Sequence, residues 1–266
     1  MTGTFDNLKK YIQMREKTDR QMSNFWLVLY FLPVFVAIVA GGYFMVSLMA
    51  QFSSIDSVTS YDFFYDEVLS GVMLPWFFVS LSSFTSVVVG LVVPYFLVNR
   101  RKTHFNRQKL LSQNLIGAID SVAQTTGVEV QDTLLVLQKN VKEANSDKTD
   151  KNPILWGFLS AFIPFLSLYV YYFLVSDFYK HEQLENSFWE QSRIALNQLG
   201  ITFSVPQRAK PMDNRSFVLY LILTIVTTGL FGAYWFYVLL NDPNQHFEYH
   251  KRVETQLLSV VESAGI

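Results

Sequence analysis

The chain predicts an all-α, polytopic membrane protein. Four hydrophobic segments are each followed by a polar or amphipathic helix, and internal repeats relate them. Three observations lead there. First, four runs, about 25–50, 72–98, 153–176 and 216–240, contain no Asp, Glu, Lys, Arg or His. A helix needs roughly 20 apolar residues to cross about 30 Å of hydrocarbon, and each run is long enough. Second, the flanks differ in Lys and Arg. Residues 1–24 carry Lys9, Lys10, Arg15, Lys17 and Arg20, the loop 51–71 carries none, and 99–152 opens with Arg100, Arg101 and Lys102. Basic flanks stay cytoplasmic, so both termini and residues 99–152 are expected in the cytoplasm of a multi-pass cell-membrane protein. Third, the chain repeats itself.

The order of elements follows. Residues 1–24 read as a cytoplasmic N-terminal helix. Residues 25–123 hold the first two membrane helices and the first amphipathic helix, and 124–152 a cytoplasmic helix and linker. Residues 153–201 form the third membrane segment with its amphipathic helix, and 202–266 the fourth with the C-terminal one. Some twenty polar residues precede the first run, so no signal peptide is expected there.

The repeat is read without a gap. Residues 85–109 lie on 227–251, matching Thr85 to Thr227, Gly90 to Gly232, Tyr95 to Tyr237, Asn99 to Asn241, His104 to His246 and Phe105 to Phe247. A third copy places Tyr172, Asp177 and His181 on Tyr237, Asp242 and His246. In each copy a membrane segment ends at a residue suited to capping, Asn99, Ser176 or Asn241. Pro243 suits the first turn of a new helix. The second helix of each copy is expected to lie at the membrane interface. Its stripe reads His246, His250, Val253, Leu257, Val260 in the last copy. The others read His104, Gln108, Leu111, Leu115, Ala118 and His181, Glu185, Phe188, Ser192, Ala195.

Four straight crossings are the expected topology, because about 25 residues suit one tilted span. They put the third amphipathic helix, with His181, on the opposite side from the other two. The alternative is helical hairpins. Pro164 aligns with Gly229, and a break there splits each of the last two runs into short halves, tolerated where packed in protein.

The segment 215–247 resembles an uncharacterised family of prokaryotic integral membrane domains. Its signature runs roughly Thr-x-Gly-(Ile/Leu)-(Tyr/Phe)-Gly-x-Tyr-Trp-(Phe/Leu)-Tyr, followed by an Asp-x-Asn-like stop. Thr227, Gly229, Leu230, Phe231, Gly232, Tyr234, Trp235, Phe236 and Tyr237 fall on it in order. The resemblance implies a small integral membrane module, and the family carries no assigned activity to transfer.

Candidate chemistry is sparse. Without cysteine there is no disulfide, thiolate metal site or Cys nucleophile. A net charge of −1 argues against a nucleic-acid partner. The uncharged spans argue against a proton-coupled carrier, and no catalytic motif supports an enzyme. His246 and His250, four apart on one helix face, could chelate a metal with His104 brought alongside. Against that, the repeat keeps His246 but replaces His250 by Gln108, so the histidines read as interfacial anchors and no metal or cofactor is expected. Pairs such as Ser86 with Gly90 and Gly157 with Ala161 read as helix-packing faces. The expected function is a non-catalytic accessory or scaffold component in the bilayer, associating with itself or other membrane subunits. The alternatives are a channel or carrier for a small neutral or apolar solute, its path lined by the Ser/Thr-rich second run, and a membrane metal-binding protein.

Overall fold

The computed structural model describes residues 2–54, 61–146 and 150–264. They form nine helices: α1 (Thr2–Gln13), α2 (Arg15–Thr18), α3 (Phe25–Ser54), α4 (Tyr61–Thr126), α5 (Gln131–Ser146), α6 (Pro153–Phe162), α7 (Pro164–Gln198), α8 (Phe217–Val226) and α9 (Leu230–Ser263). No strand occurs among the described residues.

Two helices are long and apolar enough to cross a membrane, Phe25–Ala50 within α3 and Pro75–Thr126 within α4. Their most apolar stretches are only 11% and 6% buried, unlike the covered core helix of a soluble domain. The α4 helix is 66 residues long, roughly 100 Å at about 1.5 Å per residue. Only its uncharged part, before Arg100, suits hydrocarbon; the rest continues into a polar bundle.

The third and fourth hydrophobic runs are not straight crossings. Pro164 opens α7, and Ile163 before it is extended at φ −126°, ψ 91°, as the ring of a following proline demands. In the fourth run Thr228 (φ 49°) and Gly229 (φ 95°) both take left-handed backbone conformations, which end one helix and turn the chain. The hydroxyl of Thr227 then accepts from the N–H of Phe231 at 2.9 Å, starting the next helix. The chain reverses at each break. Trp156 packs on Tyr169 and Phe173 across the first, and Tyr220 on Tyr234 and Trp235 across the second. The outer arms α6 and α8 have ten residues each, about 15 Å of helix.

The first hairpin seats closely on α4. A Cβ placed on Gly157 would lie 2.8 Å from the Leu91 carbonyl oxygen, and one on Gly90 would lie 3.2 Å from the Cα of Ala161. Gly90, Gly157 and Ala161 thus meet in one interface, while Ser86 is exposed.

Reversal brings α4, α7 and α9 out on the same side, so His181 does not lie across from its repeat mates. Nor do these helices end at Asn99, Ser176 and Asn241 and bend onto an interface; each runs straight through. The awkward point is Pro243, inside α9. It has no N–H for the carbonyl of Leu239, one turn back. The Arg100 guanidinium donates to that carbonyl at 2.9 Å, to Leu240 O at 3.2 Å and to Asn244 Oδ1 at 2.9 Å. The acids after the third and fourth segments pair with basic residues instead of capping new helices: Asp177 with Arg101 at 2.7 Å and Asp242 with Arg215 at 2.9 Å.

The three apolar stripes face one another, not a membrane surface. Leu111, Leu115 and Ala118, Phe188 and Ala195, and Val253 and Leu257 are all buried. They make a bundle core onto which Leu8 and Ile12 of α1 and Leu134 and Leu137 of α5 also pack. Each stripe buried against two others loses more apolar surface to water than one lying on an interface.

Two outcomes test this architecture. Single cysteines at the exposed Asn106, Lys180 and Gln245 are expected to react with an impermeant thiol reagent from one side of sealed vesicles. Reaction of position 180 from the opposite side restores straight crossings. Arg100→Met is expected to cost about 1–3 kcal/mol, and at least about 0.5 kcal/mol less in a Pro243→Ala background, where Leu239 regains its partner. Additive losses in denaturant unfolding contradict the assignment of Arg100 to that carbonyl.

Candidate metal centre

Directly above the apolar core, where the stripes begin, the same helix faces carry ionisable groups. The repeat positions His104, His181 and His246 lie together, and one turn on are Gln108, Glu185 and His250. All six are buried. His104 Nε2 is 3.2 Å from His246 Nε2, and Gln108 Nε2 is 2.7 Å from His250 Nδ1, so repeat mates touch. Glu185, from α7, reaches between them. Its Oε2 is 2.7 Å from His250 Nε2 and 3.3 Å from His246 Nε2, and its Oε1 is 2.8 Å from His181 Nε2. His104, Glu185, His246 and His250 each offer one ligand atom, all within 4.8 Å of one another.

Carboxylates stand behind the rings. Asp19, just after α2, has Oδ1 3.0 Å from His104 Nδ1, a short but bent contact. Glu182 Oε2 is 3.4 Å from His246 Nδ1. Glu254 Oε1 is 3.5 Å from His250 Nδ1 and accepts from the Gln108 amide at 2.6 Å. Such carboxylate–histidine pairs orient metal-binding imidazoles. They are themselves held: Arg107 bridges Asp19 at 2.7 Å and Glu254 at 2.8 Å. Arg208 lies 3.0 Å from Glu182, whose Oε1 accepts from the Met212 N–H at 2.7 Å.

Proton placement explains why the arrangement is unusual. A neutral imidazole has one N–H. If His104 and His246 direct theirs from Nδ1 to Asp19 and Glu182, their Nε2 lone pairs face each other at 3.2 Å. Facing lone pairs repel unless a cation or a proton lies between them. Burial holds His104 below the ordinary histidine range and pushes His246 down to about 3. Burial thus favours the neutral form of both rings, the form that binds metal. His250 differs: burial opposes its charge, but Glu185 and Glu254 overcome that and raise it to about 9. Burial also works to raise Glu185, yet His181, His250 and His246 hold it well below the carboxylate range. Asp19 is likewise held low, chiefly by His104 and Arg107 against its burial.

The distances suit a small ion. Zinc binds nitrogen or oxygen at about 2.0–2.2 Å in a tetrahedron, which separates neighbouring donors by roughly 3.3–3.5 Å. The separations of 3.2 Å and 3.3 Å approach that, the 2.7 Å between Glu185 and His250 must widen, and the wider pairs of a set spread over up to 4.8 Å must close. Charge fits as well. Of the buried acids Asp19, Glu182, Glu185 and Glu254, Arg107 and Arg208 match two, leaving the equivalent of one divalent cation. A proton on His250 and the partly exposed Arg15, 3.6 Å from Glu254, offer the other means of balance.

Residues 215–263 match the family of a domain of unknown function, DUF4234. The match takes in α8 and all of α9, and so supplies His246, His250 and Glu254. Neither the curated proteins nor the solved structures compared give a match.

The remaining repeat residues support the hairpins. Trp235 is buried against Tyr171, Phe217 and Tyr220. A Cβ placed on Gly232 would lie 3.6 Å from the Thr224 methyl across the second hairpin. Tyr172 stacks edge-on against Phe217, while Tyr237 is exposed and meets Tyr234. Tyr95 Cβ lies 3.2 Å from the Cβ position of Gly157, and the Thr85 hydroxyl donates to the Ser82 carbonyl. The carbonyl of Asn99 accepts from the Thr103 hydroxyl.

Sequence reasoning missed the carboxylates. Glu185 carried a signal, since the third copy places it on His250. Asp19, Arg107 and Glu254 stand at no repeated position.

Arg107→Met strands two buried carboxylates and is expected to cost about 3–5 kcal/mol. Denaturant unfolding in detergent checks it; a loss below about 1 kcal/mol contradicts the network described.

Proposed function

We propose that this protein is a membrane-anchored metal-binding protein that holds one zinc-class divalent ion through His104, His246, His250 and Glu185. The observation that carries the reading is the gathering of three buried imidazoles and one buried carboxylate, their ligand atoms within 4.8 Å of one another, with a further carboxylate behind each ring. Imidazole donors with a single carboxylate suit zinc and its first-row neighbours better than magnesium or calcium, which prefer all-oxygen sites.

The setting favours a structural or sensing role over turnover. Four protein donors close a site, whereas catalytic zinc keeps a position open. The donors come from α4, α7 and α9, so the ion ties together the helix that continues a membrane crossing and the two whose other ends form the hairpins. In this reading α3 and the uncharged part of α4 cross the bilayer, with lipid covering their exposed apolar faces. The two hairpins enter about half its depth. Arg100, Arg101, Lys151 and Arg215 gather where the helices leave it, which agrees with a bundle and both termini in the cytoplasm. A non-catalytic scaffold, assembled with itself or other subunits, fits this description. Transport has less behind it, because the second-run hydroxyls are engaged with backbone. Ser82 donates to the Pro33 carbonyl, Ser83 to Val79, and Thr85 and Ser86 to Ser82.

Metal content decides the reading. The detergent-solubilised protein, dialysed against trace zinc, is expected to keep about one ion per chain. The His104/His246/His250 triple alanine variant is expected to keep almost none. Equal metal in both ends the proposal.

A further inference from the structure

A donor set this enclosed needs a route in. Two small hollows lie against α5, between it and the faces of α4 and α7. One, about 30 Å³, is lined by Gln108, Lys109, Asn140, His181 and Glu185 among others. The second, also about 30 Å³, is lined by Arg101, Asp177, Lys180 and His181. Each has room for about one water or one ion. Exposed Lys109 and Lys180 mark where they meet solvent. Ala144, His181 and Leu184 line both.

His181 is the histidine that the third copy keeps but the four-donor set leaves out. It lines both hollows, and Glu185 lines the first beside it. That carboxylate spans the gap, Oε1 on His181 at 2.8 Å and Oε2 on His250 at 2.7 Å. One side chain thus touches both the way in and the final donors.

Resting on the metal reading above, we propose that His181 is a gateway ligand. A divalent ion arriving beneath α5 is first held by His181 and Glu185 Oε1. It then passes to His104, His246 and His250 while Glu185 keeps hold of it. Besides the metal–ligand bonds, only an N–H bond of His250 changes: it breaks as the ion takes its place, and its proton passes to solvent. A plain packing role is the competing account, since the His181 ring lies 4.1 Å from that of Phe105.

Zinc exchange kinetics separate the two. The full chain in detergent is mixed with zinc and a fluorescent chelator, and uptake, release and equilibrium content are followed. His181→Ala removes the gateway ligand, and Ala144→Phe narrows both hollows without touching a donor. Both variants are expected to bind as much zinc as wild type, with affinity within about threefold and with uptake and release each slowed about tenfold. Unchanged rates in both variants overturn the gateway. Loss of zinc from His181→Ala at equilibrium also overturns it, because His181 is then a ligand of the final site. Wild-type protein without zinc removes the metal reading itself, a result distinct from either.

Discussion

Four carboxylates taken out of water into the middle of a helical bundle must find their counter-charge there. Desolvation costs several kcal/mol for each ion, and only close, well-directed partners offset it. Much of the molecule is arranged around that requirement. Arg107 lies between Asp19 and Glu254, and Arg208, laid over the Tyr249 ring at 3.6 Å, reaches Glu182. The N-terminal segment, folded onto the bundle by Leu8 and Ile12 in the core, by the Met22 N–H on Asn244 and by Lys9 on Glu262, delivers Asp19. What those arginines leave over falls on the histidines, as protons or as a metal ion.

The repeat makes this possible by symmetry and then departs from it. Three copies of one helix face, turned toward a common axis by the hairpins, put three equivalent histidines at one level. One turn further the same position carries Gln108, Glu185 and His250. A uniform ring of carboxylates there would repel itself, and a uniform ring of glutamines would bind no ion. The mixture gives one anion, one further imidazole and one amide that fixes its neighbours. His250 and its replacement by Gln108, which argue against a metal site when two copies are compared, make sense once the third copy lies beside them.

Much of the architecture was legible in the residues. The uncharged runs locate the apolar segments, the repeat register names the histidines that meet, and the alignment of Pro164 with Gly229 marks both breaks. Hydropathy cannot choose between one 25-residue crossing and two short arms, because composition is the same in both. The choice rests on the extended Ile163 and the left-handed Thr228 and Gly229. A helical stripe shows which face is apolar but not what covers it, so bundle core and membrane surface read alike. Asp19, Arg107 and Glu254 were out of reach for a plainer reason. Their partners lie 88 to 147 positions away, with no periodicity to connect them.

X-ray absorption at the zinc edge addresses the central claim most directly, because it sees only the atoms around the ion. For protein loaded with one equivalent, the account predicts a first shell of about four nitrogen and oxygen atoms near 2.0–2.1 Å. Outer-shell scattering from about three imidazole rings should accompany it. A shell of oxygens without imidazole scattering would place the ion elsewhere and contradict it.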